Sequence, residues 1–302
     1  MRHVRPISDF FLFIAALISL SLYSQGNNMR FERVTESLDV TDNYISKILQ
    51  DKQGFLWISS TDGLLKFDGY TVTKYQYNPF DPHSVSQNTI YTLFIDRNDT
   101  MWLGTPEGLT LFDRKSEKFT RLISPFVSGM PDDLGNVSAI NEDGMGNLWI
   151  GNYEGKLWRY NREKGGFLLL TSKMGFQKKA DSPSDFHESI LKIYKDKKDV
   201  IWIGTTAGLH RLDTNLDKFS DISFTHFQNN PSDSLSLRSS TVADIFEDHQ
   251  GVIWISTSSP AGLSRFDTAT EKFTNFPSYP NNSSIKKLSI LHSSGFCSIT
   301  FQ

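Results

Sequence analysis

Aspartate and tryptophan recur together along this sequence, with the Trp always six positions after the Asp. A carboxylate can bind a metal ion or act as a general acid, and the amphipathic face of an indole can stack on a sugar ring. Five identical pairs favour a structural role, because a site is normally built once. We therefore interpret each Asp as a turn residue that caps backbone amides and each Trp as a core residue. The pairs are Asp51/Trp57, Asp96/Trp102, Asp143/Trp149, Asp196/Trp202 and Asp248/Trp254.

Other residues able to do chemistry do not cluster. No nucleophile elbow, HExxH pair or phosphate-binding glycine loop is present. The sequence therefore predicts no catalytic residue, no metal site and no cofactor. Six histidines are scattered over four or more repeats without metal-ligand spacing: His83, His187, His210, His226, His249 and His292.

The Asp–Trp pairs belong to a longer repeat. Successive tryptophans are 45, 47, 53 and 52 residues apart, which is close to the period of propeller blades. Short runs such as "FLWIS" and "VIWIG" predict strands whose two faces are both apolar, so each sheet must be covered on both sides. The segment before each run predicts a further strand, although the spacing of Ile45 and Ile48 also suits one helical turn. The predicted fold is all-β: a β-propeller of four-stranded blades, with five complete repeats, a degenerate sixth and an incomplete ring.

Two regions follow from these patterns. Arg2 and Arg5 precede an apolar stretch of fourteen residues, so residues 1–24 predict a signal peptide cut after Ser24. Residues 25–302 predict the propeller, with repeats near 44–87, 88–136, 137–189, 190–240 and 241–284 and a partial repeat at 285–302. The expected location is periplasmic or secreted, without a membrane span after cleavage. The single cysteine, Cys297, excludes an intramolecular disulfide framework.

The charge of the chain argues against a nucleic-acid partner. The formal net charge is −3, and no basic cluster occurs along the sequence. Hydrophobic residues make up 38% and charged residues 22%, as in an ordinary globular protein. Nothing in this composition favours binding to nucleic acid or to an anionic membrane.

The repeats resemble a known family. Copies such as "DKKDVIWIGTTAGLHRLD", from Asp196, are similar to the two-component regulator propeller repeat, which builds the extracytoplasmic sensor of hybrid histidine kinases in Bacteroides-type bacteria. The resemblance spans about residues 31–276. It implies a sensor that recognises polysaccharide-derived oligosaccharides and acts with further sensor domains or a homodimer partner. The sequence shows no phosphoacceptor helix and no ATP-binding lid, so we predict that this chain is not an enzyme.

Candidate binding residues lie where the repeats differ. The turns between the second and third strands and the long connections between repeats vary, and alternating chain direction predicts that both emerge on one face. We select Asp62, Glu107, Tyr153 and His187 as candidate ligand-binding residues. The alternative to a binding sensor is a secreted propeller enzyme of the lyase or glycosidase type.

The end of the sequence differs from the repeat. "ILHSSGFCSITF" resembles "ILQDKQGFLWIS" without the Asp and with Ser298 in place of the Trp. We interpret it as a damaged sixth hairpin. The sequence therefore favours a truncated sensor fragment without the kinase, and a complete small propeller is the alternative.

Overall fold

The computed structural model describes residues 44–122, 134–163, 165–170, 188–213, 222–258, 260–277, 288–293 and 296–301. These residues belong to one compact unit, Asp42–Gln302. They form strands and turns and contain no helix, so no described helix could cross a membrane. The predicted signal peptide, residues 1–24, and His187 lie outside the described residues.

Five antiparallel sheets of four strands account for most of the described chain. Their strands are consecutive in sequence, and each pairs with the next. The first blade contains β1 (Ile45–Gln50), β2 (Leu56–Ser60), β3 (Gly63–Phe67) and β4 (Val72–Tyr75). The second contains β5 (Thr92–Ile95), β6 (Met101–Thr105), β7 (Gly108–Asp113) and β8 (Lys118–Leu122). The third contains β9 (Val137–Glu142), β10 (Leu148–Asn152), β11 (Leu157–Asn161) and β12 (Gly166–Leu169).

The fourth blade contains β13 (Ile190–Lys195), β14 (Ile201–Thr205), β15 (Leu209–Leu212) and β16 (Phe224–Phe227). The fifth contains β17 (Val242–Glu247), β18 (Ile253–Ser258), β19 (Ala261–Asp267) and β20 (Lys272–Pro277). A final hairpin consists of β21 (Leu288–Ser293) and β22 (Phe296–Phe301). The prediction of an all-β fold with five four-stranded blades is confirmed.

The first strand is bulged in the first, third, fourth and fifth blades. In β1 the register shifts between Ile45 and Lys47, and β13 shifts at the corresponding place, between Ile190 and Lys192. A bulge inserts one residue, so side chains three positions apart reach the same face of the sheet. This explains why the apolar spacing in these segments also suits a helical turn.

The core lies between successive blades. Trp57 of the first blade packs with Ile90, Leu93 and Phe112 of the second. Trp149 packs in the same way against Ile190 of the fourth blade. In the second to fifth blades, the apolar residues six and three positions before the repeat Asp therefore fill the space over the preceding blade's Trp. Each blade beyond the first covers the one before it.

A glycine two residues after the Trp permits this close approach. A Cβ on Gly104 would lie 2.4 Å from the carbonyl oxygen of Val137, and one on Gly151 would lie 2.4 Å from Cγ2 of Ile190. Since real Cβ atoms do not approach other atoms so closely, a larger residue would push the next blade away. This accounts for "WLG" and "WIG" in the middle three blades.

The described blades do not close into a ring. Contacts between blades run in order through β1, β5, β9, β13 and β17. Ile45 and Ile48 are 41% and 54% exposed, whereas their counterparts Ile190 and Ile193 are buried. At the other end, β22 lies against β17 and β18. In the complete blades it is the first strand that contacts the preceding blade, so the final hairpin is placed differently from a repeat.

Candidate functional site

The connection edge is the end of the blades where the chain enters each first strand and turns from the second strand to the third. Here the amide of Gly63 donates to the carbonyl of Asn88 at 2.8 Å, and the amide of Tyr153 donates to that of Asn136 at 3.1 Å. The amide of Thr206 makes the same bond to Ser189. These bonds confirm that both kinds of variable loop meet at one edge.

Asp62 and Glu107 lie at this edge and bind neighbouring side chains. Asp62 accepts hydrogen bonds from Lys74 at 2.5 Å and from Gln76 at 2.7 Å. Glu107 is exposed and accepts one from Gln87 at 2.5 Å. Asp62 belongs to the first blade and Glu107 to the second. The structure shows no contact that joins these two carboxylates in one site.

Tyr153 belongs to a compact group that we call the tyrosine cluster, made of Tyr91, Asn136, Tyr153 and Glu154. The rings of Tyr91 and Tyr153 meet edge to face with centroids 5.1 Å apart. The hydroxyl of Tyr91 donates to Oδ1 of Asn136 at 3.5 Å, and the side-chain amide of Asn136 donates to Glu154. All four residues are half-buried. Two aromatic rings, an amide and a carboxylate thus converge between the second and third blades.

Burial controls the ionisation of this cluster. It raises the pKa of Tyr153 to about 12, and the neighbouring Tyr91 adds to the effect. Burial also raises the pKa of Tyr91, with a further contribution from the Glu154 charge. Both phenols are therefore neutral hydrogen-bonding groups over the physiological pH range.

The chain enters the fourth blade beside Tyr153. The hydroxyl of Ser189 donates to the carbonyl of Tyr153 at 2.6 Å. Burial raises the pKa of Glu188, and Oε2 of this carboxyl makes no hydrogen bond among the described residues.

The sequence-based selection named Tyr153 but missed the other three members of the tyrosine cluster. Tyr91 stands five residues before the repeat Asp, where the other blades have Ser46, Ser138, Leu191 and Ala243. An aromatic residue at a position with small or aliphatic counterparts was the available signal. Asn136 and Glu154 could be placed beside it only once the pairing of the two loops was known.

The repeat Asp residues lie at the opposite edge, which we call the Asp-turn edge. One carboxylate oxygen of Asp51 accepts the amides of Gln53 and Phe55, each at 3.0 Å. The other accepts the indole N–H of Trp57 at 2.8 Å. The same Asp-to-Trp bond measures 2.7–3.0 Å in the other four blades. Each Asp thereby joins a turn to an indole that is buried in the first four blades and half-buried in the fifth.

Arginines from the following blade bind two of these carboxylates. Arg114 of the second blade donates to Asp51 at 2.8 Å, and Arg162 of the third donates to Asp96 at 2.6 Å. Burial alone would raise the pKa of Asp96, but hydrogen bonds from Trp102 and Arg162 outweigh it and lower the pKa. These contacts hold neighbouring blades together at the Asp-turn edge.

In the third blade, the carboxylate of the repeat Asp is bound by a different arginine. Arg159, from the same blade as Asp143, places Nη2 2.7 Å from Oδ2 and Nε 2.8 Å from it. Both side chains are completely buried. In the third blade the arginine that binds the repeat carboxylate therefore belongs to the same blade.

Charged residues meet at the centre, on the first strands. The position four before the repeat Asp is Lys47 in the first blade, Lys192 in the fourth and Asp244 in the fifth. Lys192 forms an ion pair with Asp244. The charge of Lys192, together with burial, lowers the pKa of Lys47 to about 8. Among the described residues, no group of His, Cys, Asp and Glu could hold a metal ion.

Comparison with known proteins identifies the repeat. A family model described as "Two component regulator propeller" matches residues 39–62, 84–107 and 236–259. Each match includes one Asp–Trp pair. These three stretches of the chain are similar to the two-component regulator propeller repeat. Histidine kinase P4 from Formosa agariphila is 36% identical over 83 residues, which is 28% of this chain and 6% of that kinase.

Solved structures share the fold of these repeats. The extracellular domains of two hybrid two-component systems from Bacteroides thetaiotaomicron are 22% and 21% identical, with TM-scores of 0.55 and 0.60. The matches cover 84% and 80% of this chain but only 37% and 29% of those domains. Virginiamycin B lyase from Staphylococcus aureus is 15% identical, with a TM-score of 0.57, over 81% of this chain and 73% of the lyase. At these identities the similarity concerns the fold.

Proposed function

We propose that this chain is the ligand-binding propeller of an extracytoplasmic two-component sensor and that it recognises oligosaccharides released from polysaccharides. The tyrosine cluster carries this proposal. Half-buried aromatic rings offer an apolar face to a sugar, while Asn136 and Glu154 offer an amide and a carboxylate that can bind hydroxyl groups. Neutral phenols complete a set suited to an uncharged polyol.

The comparisons support the sensor part of the proposal. The repeat family is that of two-component regulators, and two of the similar structures are extracellular domains of such systems. A location outside the cytoplasm follows the same relatives and the predicted signal peptide. Asp62 and Glu107 lie on the same edge and complete the proposed ligand surface. His187, which lies outside the described residues, remains a proposed ligand-binding residue.

Calorimetry of the full chain against a panel of oligosaccharides, beside a turnover assay on the same panel, tests this function. Heat of binding without product is the expected result. Product formation would establish the alternative, a secreted propeller enzyme. A panel that includes neutral, carboxylated and sulfated glycans and produces no heat would overturn the glycan proposal.

Variants locate the site on the protein. Tyr153→Ala and Glu154→Gln should each weaken binding, the first by about tenfold or more, as expected for an aromatic anchor. Tyr70→Ala is the matched control, because Tyr70 is 90% exposed in the turn between β3 and β4. Circular dichroism should show that all three variants keep the β-sheet fold. Equal affinities in Tyr153→Ala and Tyr70→Ala would exclude the tyrosine cluster as the site.

A further inference from the structure

A cavity of about 210 Å³ lies at the Asp-turn edge, between the second and third blades. Its wall includes Arg97 and Asn98 from a turn of the second blade and Gly146 and Arg162 from two turns of the third. The volume is below the range of about 300–1,000 Å³ that is typical of sites for drug-sized ligands. The cavity therefore suits a molecule of the size of an amino acid or a single sugar.

The corresponding place between the first and second blades holds a carboxylate of the protein itself. Arg114, the second-blade counterpart of Arg162, donates to the repeat carboxylate Asp51 of the preceding blade at 2.8 Å. It also forms an ion pair with Asp99, which lies three residues after the repeat Asp of its own blade. The guanidinium of Arg114 therefore binds two carboxylates.

The third blade has glycine at the position of Asp99. Arg162 donates to the repeat carboxylate Asp96 at 2.6 Å, but Gly146 has no side chain to supply a second carboxylate. Among the residues that the structure describes, the Nε–H of Arg162 is buried and makes no hydrogen bond. A buried donor without an acceptor costs free energy. The missing carboxylate and the cavity thus coincide beside Arg162.

Two guanidinium groups line the cavity around Gly146. A Cβ on Gly146 would lie 3.4 Å from Cζ of Arg97, and Arg162 lines the same cavity. Each guanidinium already binds one carboxylate, Arg97 that of Glu142 and Arg162 that of Asp96. The two ion pairs of the second-blade arginine show that an arginine in this setting can bind a second one.

The other charged and polar residues of the cavity define the rest of the ligand. Asn161 takes the place of an aspartate that the other four repeats have, so one negative charge is absent next to Arg162. Glu163 also lines the cavity, but it is exposed, so water screens its charge. An acidic group is therefore favoured beside the arginines, and a hydrogen-bond donor is favoured beside Glu163.

We propose that this cavity binds a small organic acid, with the carboxylate of the ligand next to Arg162, in the place that Asp99 takes in the second blade. The planar fork of an arginine matches a carboxylate through two parallel hydrogen bonds. The ammonium group of an amino acid, or a hydroxyl group of a sugar acid, donates to Glu163. The site lies at the edge opposite the tyrosine cluster and does not depend on the proposed glycan function.

Calorimetry of the full chain with paired probes provides the first test. Each pair consists of an acid and the matching molecule without the carboxylate: alanine with alaninamide, and glucuronate with glucose. At least one acid should bind at millimolar concentration, and about tenfold or more tightly than its partner, on the scale of a charged hydrogen bond. The acid that binds identifies the ligand as an amino acid or as a sugar acid.

Gly146→Asp fills the site with a carboxylate of the chain. Gly146 has a φ of 89°, and Asp99 adopts a φ of 67° at the equivalent position, so an aspartate can take this backbone conformation. The carboxylate should bind Arg162 and exclude the ligand. Affinity for the acid should therefore fall by about tenfold or more, while thermal stability is kept or raised. Misfolding would not produce this combination.

Gly54→Asp is the matched control. Gly54 occupies the same position in the first blade with a φ of 93°, and that blade has Gly69 in place of the arginine. The substitution changes the net charge equally and should not alter affinity for the acid.

Arg162→Lys tests the guanidinium directly. Lysine keeps a positive charge beside Asp96 but lacks the planar fork, so affinity for the acid should again fall by about tenfold or more. Circular dichroism should show the β-sheet fold in every variant, and oligosaccharide binding at the tyrosine cluster should be the same in all of them. Failure of either acid to bind, or equal affinities in Gly146→Asp, Arg162→Lys and Gly54→Asp, would overturn the site. Binding of an acid by a chain that binds no oligosaccharide would retain this site and overturn the glycan function alone.

Discussion

Replacing Asp143 with asparagine should destabilise the protein by about 3–5 kcal/mol, because it leaves a buried arginine without a counter-charge. Asp143 and Arg159 are both completely buried, and Oδ2 lies 2.7 Å from Nη2. Asparagine has nearly the same volume as aspartate. Its side-chain oxygen can still accept the amides of Met145 and Asn147, which now bind Oδ1. The turn is therefore kept, but the amide group that replaces Oδ2 has no charge and cannot accept the N–H groups of Arg159 and of the Trp149 indole.

Asp248→Asn is the matched comparison for this change. Asp248 caps the same turn and accepts the indole N–H of Trp254 at 2.9 Å. Among the described residues, no arginine binds its carboxylate. The expected loss is about 1 kcal/mol, the scale of a weakened hydrogen bond.

A double variant isolates the charge. Asp143→Asn with Arg159→Leu removes both partners, and leucine has a precedent in Leu111, which occupies the equivalent place in the second blade. Most of the stability lost in Asp143→Asn should return, as it does when both charges of a buried pair are replaced. Urea denaturation at pH 7 with unchanged m-values measures these differences. If Asp143→Asn costs no more than Asp248→Asn, or if the double variant is additive, the reasoning about the buried pair is wrong.

Three further predictions concern the blades. Trp202→Ala should destabilise the protein by about 3–5 kcal/mol, as for other buried large aromatics. Trp254→Ala should destabilise it less, because Trp254 is only half-buried. Equal losses of stability in thermal melts would contradict the inference that each blade is covered by the next blade along the chain. Acidification from pH 7 to 5 should reduce stability by about 2 kcal/mol. Burial, together with the His226 ring stacked 4.1 Å away, lowers the pKa of His210 from 6.5 to about 3, so its contribution is complete above pH 6.5 and declines below it. His210→Thr, the residue type of the second blade, should flatten this dependence in urea titrations at both pH values, and an unchanged slope would exclude His210 as its source. Arg114→Met should cost about 2 kcal/mol by removing a charged hydrogen bond between the first two blades; unchanged denaturation would show that this bond adds no net stability.

The sequence was sufficient to predict the repeat, the strands and the edge at which the variable loops meet, because each of these depends on local spacing. The bulge in the first strands was not foreseen, since Ile45 and Ile48 are equally consistent with a helical turn. The arginines that bind the repeat Asp residues could not be predicted from the sequence either. Arg114 and Arg162 bind a carboxylate of the preceding blade, whereas Arg159 binds one of its own.

The candidate sites show the same limit. Tyr153 was selected from its variable turn, but its ring partner Tyr91 comes from a different blade. The ion pair of Lys192 with Asp244 carried no sequence signal, because charged residues on strands are ordinary surface residues unless the fold brings them together. Contacts between positions several repeats apart depend on how the blades curve, which spacing along the chain does not specify.

Each blade is covered by the next blade along the chain. Such a chain can therefore change length by gaining or losing whole repeats. Each core between blades is built from two consecutive repeats, as Trp57 with Leu93 and Trp149 with Ile193 illustrate. A duplicated repeat inserted between two blades would bring one complete new core and leave the sequence of every older one intact. Inserting one residue within a first strand would instead move the bulge and turn its apolar side chains away from the preceding tryptophan. The duplication of a whole repeat therefore preserves the packing between blades, whereas a change in the length of a first strand disrupts it.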